Sequence, residues 1–151
     1  MFSRSCTYGI QAGLYLAQEA EQNKFVPAHR IAKDLGVPFH FLKKILQRLG
    51  DHGITRSVRS TNGGVTLARK AEEISIWDIV EVLDGVKKFD NECILKLPEC
   101  DATRPCVLHQ AWLKEKTRLQ TMLKTINLRD GAASVPNMMA RNWSASVELT
   151  N

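Results

Sequence analysis

Three thiols and one imidazole fall close together in the chain: Cys93, Cys100, Cys106 and His109. Six residues separate the first two cysteines, five the next two, and two separate Cys106 from His109. Thiolates are soft ligands, which select iron–sulfur clusters, zinc or copper(I). Pro98 and Pro105 keep the stretch irregular, and an irregular loop can wrap a metal site where a strand or helix cannot. The spacing is neither the C-x-x-C pair of a zinc ribbon nor a ferredoxin run. A fourth ligand is open between His109, at the start of a helix one turn beyond Cys106, and Cys6, the remaining cysteine. A cluster, a bound zinc and a thiol–disulfide switch all suit this set. Ordinary buried thiols are the chemically silent alternative. Cysteines in a chain without a recognisable secretion signal point to metal or redox chemistry before structural disulfides. The N-terminus M-F-S-R-S-C-T-Y-G-I has no long apolar region, and no apolar run approaches the roughly 18 residues of a membrane helix. A cytoplasmic protein with no membrane partner is therefore expected.

A second set of residues suits anion chemistry. From Val37 to Lys70 the bases are Lys43, Lys44, Arg48, Arg56, Arg59, Arg69 and Lys70, against Asp51 as the single acid, an excess of +6. The whole chain carries only +5, so the positive charge is concentrated in one module. His40, Lys43, Lys44 and Gln47 are the candidates for reading base edges, since Lys donates to guanine and Gln pairs with adenine. Arg48 and Arg56 suit phosphates, which add affinity without sequence information. Arg59, with Ser60, Thr61, Asn62 and Gly63 beside it, suits a minor groove. Gly63 and Gly64 would let the backbone approach a duplex closely. The bland reading of the same bases is a solvated helix face.

The elements that must hold these residues follow from periodicity. Tyr8 to Gln18 predicts a helix with Ile10, Leu14 and Ala17 at helical spacing. Pro27 opens a second helix with Ile31, Ala32 and Leu35 buried, ended by Gly36. Pro38 opens a third, with Phe41, Leu42, Ile45, Leu46 and Leu49 as its apolar stripe and Gly53 as its stop. Two such helices joined by a Gly-containing turn are a helix-turn-helix pattern. Ile54 to Val58 and Val65 to Ala68, around Asn62-Gly63-Gly64, predict a hairpin. Together these make a winged helix. Ser75 and Asp78 resemble a capping box for a helix through Ile76, Ile79, Val80 and Leu83, closed by Gly85. From Val107 a long helix is expected, with Trp112, Leu119 and Ile126 seven apart and Met122 between them; Glu115 interrupts its seam. The fold class expected is mostly α: a winged helix-turn-helix domain (1–85), a cluster-binding loop (86–106), a dimerisation helix (107–130) and a flexible tail (131–151). No nucleophile–base set or phosphate loop suggests an enzyme.

With both parts in place, the chain resembles the Rrf-two family of winged-helix regulators (the IscR-, NsrR- and RirA-like proteins), from about Met1 to Asp130. The resemblance rests on Tyr8 to Ala17, Ile31-Ala32, Phe41-Leu42, the wing S-V-R-S-T-N-G-G-V-T-L-A (Ser57 to Ala68), I-S-I-W-D-I-V (Ile74 to Val80) and the cysteine triad. It implies a homodimer through the long helix, a palindromic double-stranded DNA operator, and an iron–sulfur cluster, 2Fe–2S or 4Fe–4S, on Cys93, Cys100 and Cys106. The segment C-x-x-H-x-x-W, Cys106 to Trp112, is similar to the branch whose histidine is the fourth ligand of a 2Fe–2S cluster, which favours His109 and 2Fe–2S. The chain departs from the family pattern in three places. Its first cysteine gap is one residue longer. Its wing has Ser60 for a Gly and Val65 for a Tyr. Its recognition helix has Lys43-Lys44 where that branch has Glu-Gln, which implies a different operator. The implied function is transcription regulation that responds to iron, cluster supply, oxidants or nitric oxide.

Overall fold

The computed structural model describes residues 2–20, 24–86 and 93–135. Among them the elements run α1 (Arg4–Ala20), α2 (Ala28–Leu35), α3 (Phe39–Asp51), β1 (Thr55–Val58), β2 (Gly64–Leu67), α4 (Ile76–Leu83), α5 (His109–Thr125) and α6 (Leu128–Ser134), with a 3-10 turn at Ala71–Glu73. This is the mostly helical architecture with one small hairpin that the sequence predicts.

Helix α1 is the centre of the core. It starts earlier than its apolar pattern because the Ser3 hydroxyl accepts from the Cys6 amide at 3.1 Å. Its buried face is Cys6, Ala12, Leu16 and Ala17, together with Tyr15, while Ile10 and Leu14 are only partly covered. Small residues admit the neighbours: a Cβ on Gly13 would lie 2.7 Å from Ile79 Cδ1, and one on Gly9 would run into Leu83. Helix α4, which supplies both, packs there. Its N-terminus is held by the capping box expected, with Ser75 Oγ accepting from the Asp78 amide at 3.1 Å and Asp78 Oδ2 from the Ser75 amide at 2.8 Å.

The helix-turn-helix follows its punctuation. Pro27 and Pro38 stand just before α2 and α3, their carbonyls accepting the first bonds, from Arg30 at 2.9 Å and Phe41 at 3.0 Å. Gly36 takes the left-handed conformation (φ 66, ψ 28) that ends α2. Leu42, Ile45, Leu46 and Leu49 bury one side of α3. The strands pair antiparallel from Thr55↔Leu67 to Val58↔Gly64. Thr55 is buried and donates its hydroxyl to the Leu46 carbonyl at 3.0 Å, which fixes the root of the wing to α3. Val26 adds a bridge to Val65, with bonds of 2.9 and 2.8 Å.

The C-terminal part differs from its expectation. The single helix expected over 107–130 is two. Helix α5 ends at Thr125, Ile126 is extended (φ -83, ψ 116), and Asn127 caps a new helix by accepting from the Asp130 amide at 2.9 Å. The heptad partner Ile126 therefore lies one residue beyond α5. A bridge between Ser75 and Asn127 joins this break to the start of α4, through Ile76 N to Ile126 O at 2.9 Å and Leu128 N to Ile74 O at 2.8 Å. The tail expected from residue 131 begins inside α6, which is folded onto α1. Leu128 and Ala132 are buried, and the Gln18 amide donates to Ala132 O and Val135 O at 3.0 and 2.7 Å. The rest of that tail, 136–151, and the first part of the cluster loop, 87–92, lie outside the described residues. No described helix is long and apolar enough to cross a membrane.

Candidate metal centre and nucleic-acid interface

Cys93, Cys100 and Cys106 lie on the turns that lead into α5, and His109 is the first residue of that helix. The turns are made by backbone bonds, Lys96 N to Cys93 O at 2.8 Å and Cys100 N to Leu97 O at 3.3 Å. Asp101 fixes the middle of the loop, its carboxylate accepting from Thr103 N, Thr103 Oγ1 and Arg104 N at 2.7, 2.6 and 2.9 Å. Those donors, the Thr103 hydroxyl foremost, hold the Asp101 carboxyl below its ordinary range. The result brings the three sulfurs within 4.8 Å of one another. Cys93 Sγ is 3.7 Å from Cys106 Sγ, and Cys100 Sγ is 3.3 Å from His109 Nδ1.

This donor set suits a metal. Two thiolates sharing one tetrahedral ion, each about 2.3 Å from it, stand roughly 3.8 Å apart, close to the separation of Cys93 and Cys106. The three sulfurs form one group, and the His109 ring nitrogen beside Cys100 is the candidate fourth donor. The local field already favours one thiolate. Backbone amides, Leu97 first, pull the Cys93 thiol below its ordinary value. At Cys100 the Cys106 amide, 3.4 Å from the sulfur, acts the same way, but burial and the neighbouring thiols outweigh it and raise the group. The four residues line a cavity of ≈ 390 Å³ together with Trp112, Leu113 and Lys116 of α5. Trp112, expected from the sequence as a seam residue of the long helix, lines this cavity. Lys116 escaped the sequence reading, although it stands seven residues after His109 and so on the same side of the helix. Cys6, the other candidate ligand, is fully buried in the α1 core of its own subunit, outside the group of three.

On α3, His40, Lys43, Lys44 and Gln47 are all exposed, at i, i+3, i+4 and i+7 opposite the buried stripe. His40 leans on the Phe39 ring, centroids 5.6 Å apart. Arg59, Ser60, Thr61 and Asn62 are exposed at the wing tip. Gly63 is placed by the turn itself: its amide donates to Ser60 O at 2.9 Å, and a Cβ there would collide with the Val58 carbonyl. Gly64 is needed inward as well, since a Cβ would lie 2.5 Å from the Val26 carbonyl. The two arginines assigned to phosphates have internal partners. Arg48 donates to Val82 O and Leu83 O at 2.6 and 3.4 Å, at the C-terminus of α4, where a cation is favoured. Arg56 stands over the Phe25 ring, 5.2 Å from its centroid.

The model of the Rrf2 family, described as iron-dependent transcriptional regulator, matches residues 2–133. An HTH-type transcriptional regulator of Aquifex aeolicus (strain VF5) is 32% identical over 132 residues, covering 86% of this chain and 90% of that protein. The structure is similar to T. potens IscR, with a TM-score of 0.68, 29% identity and coverage of 88% and 86%. It is also similar to the oxidised form of Staphylococcus aureus CymR, with a TM-score of 0.72, 26% identity and coverage of 89% and 98%.

Proposed function

The chain belongs to the Rrf2 family of iron-dependent transcriptional regulators, and from that premise we propose that it is a cytoplasmic, dimeric DNA-binding regulator that senses through an iron–sulfur cluster held by Cys93, Cys100, Cys106 and His109. It is a transcription regulator and not an enzyme. The observation that carries the sensing proposal is the convergence of three sulfurs, Cys93 beside Cys106 and Cys100 within the same group, with His109 next to Cys100. A 2Fe–2S core is favoured over 4Fe–4S because a cysteine and histidine pair completes the set. Bound there, the cluster supplies a charge and oxidation state that respond to iron, oxidants or nitric oxide.

The chain's own residues relate that response to DNA. Three ligands sit on the loop and one on the first turn of α5, so occupancy ties the loop to the helix. Helix α5 in turn packs on α4, with Lys124 Nζ 5.5 Å from the Trp77 ring centroid. Its other side carries Met122, with Ile126 just past its end, both exposed. We assign that side to the partner subunit. Loading then shifts the balance between arrangements of the two recognition helices, which must match half-sites about one helical turn apart on a palindromic operator. His40, Lys43, Lys44 and Gln47 read the major groove; Arg59 to Asn62 reach the minor groove. Arg48 and Arg56 add charge near phosphates, while their contacts with α4 and Phe25 serve the fold.

A second reading keeps the same DNA module and replaces the cluster by zinc or by a thiol–disulfide switch. Three sulfurs within 4.8 Å fit a single ion, and the Cys93–Cys106 distance brings two thiols to within reach of a disulfide after small movement. The deciding measurement is iron, sulfide and zinc content, with the visible spectrum, on protein purified without oxygen. Equal iron and sulfide in brown protein is the expected result. Colourless protein holding zinc, or holding no metal after reconstitution, transfers sensing to the second reading and leaves the DNA module untouched.

A further inference from the structure

A second cavity, of ≈ 740 Å³, lies between the C-terminal part of α1, the two strands of the wing, the 3-10 turn and α6. It shares no lining residue with the cysteine cavity. Its charge is one-sided. Arg56 of β1, Arg69 and Lys70 after β2, and Arg129 of α6 line it against Glu72, four minus one, an excess of +3 among the described lining residues. Ala17, Ala71, Ala132 and Ala133 form small walls between the charges and leave the space open. Like charges gathered around one volume repel each other, and an anion placed among them removes that cost.

Three of the bases are positioned in advance. The Arg56 guanidinium lies over the Phe25 ring, 5.2 Å from its centroid. Arg69 donates to Gly53 O and Glu73 O at 3.4 and 3.3 Å and stands 4.0 Å from Asp78 Oδ2. Arg129 stands 3.8 Å from Glu72. A guanidinium carries five N–H donors, more than these contacts engage, and its fork matches carboxylate and phosphate alike. The volume is within the roughly 300–1,000 Å³ of small-ligand sites. A duplex is the larger anion at hand, yet neither the exposed residues of α3 nor the wing tip Arg59 to Asn62 lines this cavity. We propose that it is a binding site for a small organic anion bearing two or more phosphate or carboxylate groups, which ties α6 to the root of the wing. The inference goes beyond the cysteine loop and is independent of what that loop holds. It gives the DNA module a second input, through the strands that carry the wing tip.

The test uses the full-length protein purified without oxygen, as wild type, Lys70→Gln, Arg129→Gln, the double variant of those two, Glu72→Gln, and Lys33→Gln on α2 as a control that loses one charge elsewhere. The Arg129–Glu72 pair is exposed, so breaking it costs the fold little; circular dichroism checks this. Pyrophosphate and citrate are titrated separately by calorimetry at 0.15 M salt. Wild type is expected to bind one of them with a stoichiometry of one per chain, and which one it prefers tells phosphate from carboxylate. Each single Gln variant at Lys70 or Arg129 is expected to weaken that binding about tenfold. Glu72→Gln should strengthen it, and Lys33→Gln should leave it unchanged. Binding that persists undiminished in the double variant lies elsewhere, at the metal or on another surface, and overturns the proposal. Wild type that binds neither anion overturns it too. If the double variant then also loses affinity for a scrambled duplex, the cavity is part of the DNA surface; if it does not, the bases are a solvated face.

Discussion

Cys100 touches both halves of the proposed donor set, 3.3 Å from His109 Nδ1 and grouped with the other two sulfurs. It lies on a partly exposed loop, away from the buried core. Cys100→Ala is therefore expected to reduce iron to background after reconstitution while shifting unfolding by no more than about 0.5 kcal/mol. Iron analysis beside a thermal melt of the metal-free protein checks this; a variant that retains full iron refutes the ligand assignment. Tyr15 belongs to the fold. Its ring is fully buried on α1 and its hydroxyl donates to Asp34 Oδ2 at 2.7 Å, which links α1 to α2. Burial first, and then Asp34, raise the phenol well above its ordinary value of 10.0. The folded state thus needs the neutral phenol. Its contribution is complete below the unfolded pKa and is lost as pH rises through the higher folded one. Tyr15→Phe should cost about 1 kcal/mol at neutral pH, with the difference from wild type shrinking above pH ~10. Urea melts at pH 7 and pH 11 measure both; a gap that stays constant with pH contradicts the linkage.

The elements were legible in proportion to how local their causes are. The caps at Ser75 and Gly36, the stripe on α3 and the hairpin around Asn62-Gly63-Gly64 all depend on residues a few positions apart, and they form where the pattern predicts. The break between α5 and α6 was not legible. It depends on Asn127 acting as a cap and on the long-range bridge to Ser75, and neither interrupts the apolar period. The buried face of α1 was legible only in part, because Gly9 and Gly13 are chosen by Ile79 and Leu83, some seventy residues away in sequence. At the candidate site, thiols announce their chemistry by type, whereas Lys116 becomes notable only when the cavity closes around it. In the wing, Gly63 lies against the Val58 and Ser60 backbone and Gly64 against Val26, so neither position has room for a side chain. Arg59→Ala is expected to weaken operator binding and to reduce the slope of log K against log salt by about 1. Fluorescence anisotropy across a salt series checks it, and an unchanged slope removes Arg59 from the interface.

At the scale of the molecule the design is an α1-centred core, with the residues proposed to face DNA exposed on α3 and the wing and the cysteine loop at the root of α5. Helix α6 ties the far end of α5 back to α1 through Leu128 and Gln18, so α5 is anchored at both ends. An anchored helix with exposed apolar residues is suited to meeting a second copy of itself. Met122 is 48% exposed and Ile126 38%, and burying the part still exposed contributes roughly 1 kcal/mol each. An isologous contact would use them twice. Met122→Asp places a charge in that seam and leaves the winged domain's core untouched. It is expected to convert dimer to monomer in sedimentation velocity at micromolar concentration. Specific DNA affinity should then fall by more than tenfold on a two-half-site duplex, since each subunit must now bind alone, while affinity for a single half-site stays the same. A variant that remains dimeric moves the interface to another face. A monomer with undiminished palindrome affinity dissociates the DNA reading from the dimer, because the two recognition helices would then have no need of a fixed spacing.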